Sequence, residues 1–131
     1  ERELSLLYGS PLKVTFTSHV VPVCRGIMST LYAPLERTIT EADLLAAYNS
    51  FYGKGGFVRV FPSNAQLVSL HVRGTNYCNL AVSVDGRTGM LRVVSYIDNL
   101  VKGQAGSALQ NMNLIFGLDE KTGMDLPGIY P

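Results

Sequence analysis

Asn79-Leu-Ala-Val-Ser-Val-Asp85, Gly86-Arg-Thr-Gly89 and Met90-Leu-Arg-Val-Val-Ser-Tyr-Ile97 form the stretch that decides the fold class. Both arms are rich in β-branched residues, which fit a pleated, half-buried surface. The connection between them has a glycine at each end, the chemistry of a hairpin loop. Strands joined by so short a loop run antiparallel. Working outward, Ile27–Ala33 reads as a strand ended by Pro34, and Phe57–Phe61 as a short strand ended by Pro62. Lys13–Thr17 alternates polar and apolar residues, and Leu67–Val72 is apolar; both are strand candidates. A helix begins at Thr40, whose side chain can cap the first turn, with Asp43 three residues on. Leu44, Leu45, Ala47, Tyr48, Phe51 and Tyr52 then follow helical spacing up to Gly53. Glu1–Tyr8 reads as the end of a helix, with Leu4, Leu7 and Tyr8 on one side, stopped by Gly9-Ser10-Pro11. A last one over about Gly106–Phe116 carries Ala108, Met112 and Ile115 on one face. Hairpin-paired strands with interposed helices predict an α+β domain, a mostly antiparallel sheet with helices on one face.

The chain has 131 residues, 47% of them hydrophobic and 16% charged, so one domain with a sizeable core is expected. A formal charge of +1 gives no electrostatic footprint for nucleic acid or an anionic membrane. No apolar run is long enough for a spanning helix. Glu1-Arg2-Glu3 offers neither a basic n-region nor an apolar h-region, so a cytoplasmic location is expected. The absent initiator Met and the opening in mid-pattern suggest a piece of something longer. Cys24 and Cys78 have no CxxC or Cys/His spacing, which predicts neither a metal site nor a disulfide framework.

Several residues could carry chemistry. His19 and His71 have no meaningful Ser or Cys partner and read as structural or incidental. Cys24 adjoins Arg25, and a cation lowers a thiol's pKa, but its apolar run favours a small buried hydrophobe. Arg25, between an apolar crossing (residues 18–26) and a strand, would either grip a carboxylate or phosphate bidentately or pair with an acid elsewhere. Arg73-Gly-Thr-Asn-Tyr77 suits a turn or a set of ligand hydrogen bonds. Asp98-Asn-Leu-Val-Lys-Gly-Gln-Ala-Gly-Ser107 leaves a strand and enters a helix through Gly103 and Gly106. That predicts free amides at a helix N-terminus, facing anions or polar cofactor groups. The segment is not GxGxxG, and no dinucleotide-binding strand-turn-helix is present.

Three stretches carry a resemblance. Phe16-Thr-Ser-His-Val-Val-Pro-Val-Cys-Arg-Gly-Ile27 resembles FTPHLVPMxRGI of the N-acetyl-gamma-glutamyl-phosphate reductases of arginine biosynthesis. Val72-Arg-Gly-Thr-Asn-Tyr-Cys78 resembles their VRGSNYC. Asp98-Asn-Leu-Val-Lys-Gly-Gln-Ala-Gly-Ser-Ala-Leu-Gln-Asn-Met-Asn113 resembles DNLVKGASGQAxQNMN, and Ile115-Phe-Gly-Leu118 with Ile129-Tyr-Pro131 is similar to the family's ending. Glu1-Arg2-Glu3-Leu4 looks like the continuation of the family's HRHxPEIE segment.

The resemblance implies the C-terminal domain of a glyceraldehyde-3-phosphate dehydrogenase-like fold, with a mixed, largely antiparallel sheet whose second face pairs subunits. It implies an NADPH-dependent reduction of an acyl phosphate to a semialdehyde through a cysteine thioester. The Rossmann fingerprint, the nucleophilic Cys and the catalytic His have no match here and are expected upstream of Glu1, leaving this chain inactive alone. About 1–97 would be the substrate-binding and dimerisation part. About 98–131 would close onto the Rossmann domain, and without that cover the last helix is expected to pack poorly or swap. Asn99, Gly103, Ala105 and Gly106 are the implied contacts to NADP; Arg25, Arg73 and Tyr77 are the implied substrate-pocket residues. A homo-oligomer, dimer or tetramer, is implied, with strands such as Asn79–Asp85 apolar on both sides. A lysine-pathway relative acting on an aminoadipyl phosphate and a stand-alone oligomerisation module are the competing readings.

Overall fold

The computed structural model describes residues 1–53 and 55–129. Its chain order is α1 (Arg2–Tyr8), β1 (Ile27–Pro34), α2 (Glu41–Tyr52), β2 (Val58–Phe61), a 3-10 turn (Ser69–Val72), β3 (Cys78–Asp85), β4 (Met90–Ile97), a π turn (Val101–Ala105) and α3 (Gly106–Ile115). The four strands form one sheet in the order β1-β4-β3-β2. β1 and β3 flank β4 in antiparallel register, with Leu31 and Val82 both opposite Val93. β2 runs parallel to β3, pairing Val60 with Leu80. The sheet is therefore mixed and mostly antiparallel, as expected. The hairpin is closed by Asp85, whose carbonyl accepts from Thr88 and Gly89 while its carboxylate accepts from the Arg87 amide at 2.9 Å. The Arg87 bond, with help from Thr88 and Arg92, holds the Asp85 carboxyl below the usual range.

One sheet face is covered by α2. Leu44 of α2 packs with Leu80, Val82 and Val93, and Tyr48, Tyr52, Val58, Val60 and Leu91 close the edges. The helix starts where expected: Thr40 Oγ1 accepts from the Asp43 amide at 3.1 Å and donates to the Asp43 carboxylate at 2.6 Å. Alternation puts the other face on Asn79, Ala81 and Ser83 of β3, Arg92, Val94 and Tyr96 of β4, and Met28, Thr30 and Tyr32 of β1. A shallow concavity on this face is lined by those β1 and β4 residues with Ala81 and Ser83. The expectation that β3 is apolar on both sides is thus corrected. Its open side is small and polar, and the large apolar groups of that face come from β1 and β4.

Two predicted strands are not strands. Lys13–Thr17 has no neighbouring strand among the described residues; the Val14 amide turns to the start of α1 instead, donating to Glu1 Oε1 at 2.9 Å. An alternating pattern makes a strand only where a sheet edge exists to receive it. Within Leu67–Val72, residues Ser69–Val72 contract into the 3-10 turn, closed by bonds spanning three residues, His71 to Val68 and Arg73 to Leu70. The crossing is also not buried: Cys24 is exposed, against the expectation for its apolar run, and so are Val20, Val21 and Val23. α3 forms over the expected residues, but its buried side chain is Asn113, while Met112 and Ile115 of the predicted apolar face are exposed. Asn113 Nδ2 donates to the carbonyls of Glu120 and Thr122, so burial here is governed by hydrogen bonding to the tail. Tyr130 and Pro131 of the family-like ending lie outside the described residues. No helix among the described residues is long and apolar enough to cross a membrane.

Candidate functional site

The last residue pair after β4, Asp98-Asn99, organises the region to which most of the candidate residues are attached. The Asp98 side chain is fully buried. A carboxylate in that position needs its lone pairs filled, and four donors fill them. Oδ2 accepts from Arg25 Nε at 2.8 Å and from the Gly74 amide at 2.6 Å. Oδ1 accepts from the amides of Leu100 and Val101 at 2.8 and 2.9 Å. Burial alone would push the Asp98 carboxyl up. The bonds from Gly74, Val101, Arg25 and Leu100 outweigh it and hold the group below the usual carboxylate range. Beside it, Asn99 Oδ1 accepts from the Gly26 amide at 2.8 Å.

Two remote segments and the turn that follows thus meet at one dipeptide. Arg25-Gly26 arrives from the crossing, Gly74 from the Arg73–Tyr77 turn, and the π turn follows directly. Glycine is required at both incoming points. Gly26 has φ +108, and a Cβ there would lie 2.8 Å from that of Ser69. Gly74 has φ +73, and a Cβ there would collide with Ile129, whose amide bonds the Arg73 carbonyl.

Of the two readings of Arg25, the ion pair with an acid is realised. It uses only Nε; the side chain stays 25% exposed, and its Nη groups have no hydrogen-bond partner among the described residues. Asn99 likewise spends its oxygen on Gly26 and leaves Nδ2 without a partner among the described residues. Arg73 is half-buried and joins the site through its backbone. Tyr77 belongs to a different cluster. Its hydroxyl donates to Asp125 at 2.8 Å, Arg59 lies 3.4 Å over its ring, and Phe57 meets it edge-on.

The expectation of free amides at the start of α3 is not met. Gly103 donates to the Asp98 carbonyl, Ala105 to that of Leu100, and Gly106 to that of Val101. The π turn consumes these donors before the helix begins. Gly103 and Ala105 remain exposed; Gly106 is buried, with Asn76 and Val101 packed where a Cβ would stand. Behind the turn, Lys102 Nζ donates to Gln110 Oε1 at 2.6 Å, and Gln110 Nε2 donates to Glu120 at 2.7 Å. Cys78 is half-buried; burial raises its thiol pKa and the nearby Lys102 charge only partly offsets this.

Sequence reasoning missed the role of Asp98, although it quoted the residue. The available signal was an acid directly after a β-branched strand, where a buried carboxylate can collect the amides of the turn that follows. Asn76 and Asn113 were also missed, because nothing in their spacing marks a polar residue for burial.

Residues 1–99 match the family described as semialdehyde dehydrogenase, dimerisation domain. Over all 131 residues the chain is 52% identical to an N-acetyl-gamma-glutamyl-phosphate reductase of a Geobacter species. It is 51% identical to that of Citrifermentans bemidjiense and 48% identical to that of Desulforamulus reducens. In each case the match covers the whole chain and 38% of the relative's length. With the family match spanning β1 to β4 and the Asp98-Asn99 pair, the chain belongs to the semialdehyde dehydrogenase dimerisation-domain family.

Proposed function

We propose that the chain is the substrate-binding and subunit-pairing part of an NADP-dependent N-acetyl-gamma-glutamyl-phosphate reductase of the cytoplasm. The observation that carries this reading is the joint anchoring of Arg25 and Asn99 on consecutive residues and backbone. Arg25 and Gly26 meet Asp98 and Asn99 pairwise, at 2.8 Å each. Each side chain is fixed through one atom and keeps its remaining donors for a ligand. Two Nη groups suit a phosphate or carboxylate of the acyl phosphate; an amide Nδ2 suits the carboxamide of a nicotinamide.

In the reaction a thiolate displaces phosphate from the acyl phosphate, giving a thioester that is reduced to the semialdehyde. The nucleophile and the acid/base come from residues outside this chain, consistent with the raised Cys78 thiol and with the chain spanning 38% of its relatives. When bound, NADPH supplies the hydride. Asn99 would orient its nicotinamide, the exposed Gly103 and Ala105 would line it, and Gly106 would let Asn76 support the turn from beneath. Arg25 holds the anion, Arg73 braces the Gly74 turn behind it, and Tyr77 fixes the tail that covers that turn. Residues 1–97 carry the substrate side and the pairing face; 98–131 close onto the cofactor domain. A second copy would cover the open sheet face, where Met28 and Tyr32 are 61% and 65% exposed.

The test is phosphate-dependent oxidation of N-acetylglutamate semialdehyde with NADP, followed optically. The full-length protein that contains these residues is expected to be active and residues 1–131 alone silent. Activity in residues 1–131 alone, or silence in the full-length protein, contradicts the reading.

A further inference from the structure

We propose that Asp98 is a positioning residue for anion capture, holding Arg25 by Nε so that the Nη edge of its guanidinium is kept for the ligand. The inference rests on the reading of Arg25 as the anion-binding residue and adds what aims it. A long arginine side chain has many rotamers, and an anion would have to order them at its own cost unless something else does so first. Asp98 does so from a fully buried position, 2.8 Å from Nε, and is itself immobilised by three backbone amides.

The two carboxylate oxygens divide the work, which makes the role separable from folding. Oδ2 faces Arg25 and Gly74; Oδ1 faces Leu100 and Val101, the turn that carries Asn99. An Asn at position 98 can keep its oxygen on the Leu100 and Val101 amides. Its NH2 then replaces Oδ2 and meets two donors, so the grip on Arg25 is lost while the turn beside Asn99 is retained.

The experiment uses the full-length protein with phosphate and NADP as the varied ligands. Arg25→Lys is expected to raise the KM for phosphate about tenfold or more, since the planar fork is lost. Asp98→Asn is expected to raise the phosphate KM by roughly tenfold as well, with the NADP KM within about twofold of the parent. The double variant is expected to be no worse than Arg25→Lys alone, because both changes remove one interaction. An unchanged phosphate KM in Arg25→Lys overturns the reading of Arg25, and the proposal with it. A raised KM in Arg25→Lys combined with an additive double variant, or with an Asp98→Asn that only lowers Tm, overturns the Asp98 proposal alone. Should Asp98→Asn fail to fold, arginine-labelled NMR of the unaltered protein decides. A slowly exchanging Arg25 Nε–H, with Nη signals that move on phosphate addition, supports the proposal; a rapidly exchanging Nε–H overturns it.

Discussion

Val82 and Val20 both lie in apolar stretches of this chain, and their surroundings could hardly differ more. Val82 is wholly buried on the sheet beneath α2, whereas Val20 is fully exposed in the crossing. The hairpin arms are buried because they pair with each other and with β1 and β2, and because α2 lies over one face. The crossing has the same kind of composition but, among the described residues, no strand partner, and Val20, Val21 and Val23 stay exposed. Apolar character shows which residues can leave water; it does not show what will take them in. The outer side of α3 repeats the lesson, with Met112, Ile115 and Phe116 exposed. Such clustered exposure marks surfaces that other protein covers. In the proposed reductase the crossing and α3 would meet the remainder of the polypeptide.

The sharpest way to break this contrast is to truncate each side. Val82, wholly buried beneath α2, is expected to cost about 2–3 kcal/mol on change to Ala. Val20→Ala in residues 1–131 is expected to change stability by no more than about 0.5 kcal/mol. Denaturant unfolding measures both, and equal costs would erase the distinction. Acid unfolding sharpens it further. Because the Asp98 pKa is lower folded than unfolded, its stabilisation is full above the unfolded Asp range and is lost as pH falls through the depressed folded value. The acid limb of Tm against pH should therefore flatten in Asp98→Asn; an unchanged limb would mean that the buried pair contributes nothing. Within the packed half, Thr40→Ala should cost about 1 kcal/mol through loss of the α2 cap, read as a shift in the denaturant midpoint.

What was legible in the sequence follows the same division. The hairpin, α2 with its Thr40 cap, and the strand ended by Pro34 were readable because periodicity, capping and turn chemistry agreed locally. Lys13–Thr17 was misread because its alternation is only half of a strand; the missing half is a neighbour. Leu67–Val72 was misread because an apolar run does not distinguish an extended strand from the short bonds of a 3-10 turn. At the site, Arg25 and Asn99 were named but their relation was not. Their meeting depends on Asp98 collecting donors that lie 24 and 73 residues away in sequence. The amides before α3 were expected to be free because glycines opened the helix, and a π turn is invisible to that argument.

Amide hydrogen exchange on residues 1–131 and on the full-length protein tests the contrast most directly. β3, β4 and α2 should be protected in both, since they supply each other's cover. Residues 15–21 should exchange rapidly in the short chain and become protected in the full-length protein, whereas the Gly26 amide, bonded to Asn99, should be protected in both. Protection of 15–21 in the short chain, or its absence in both, would contradict the account.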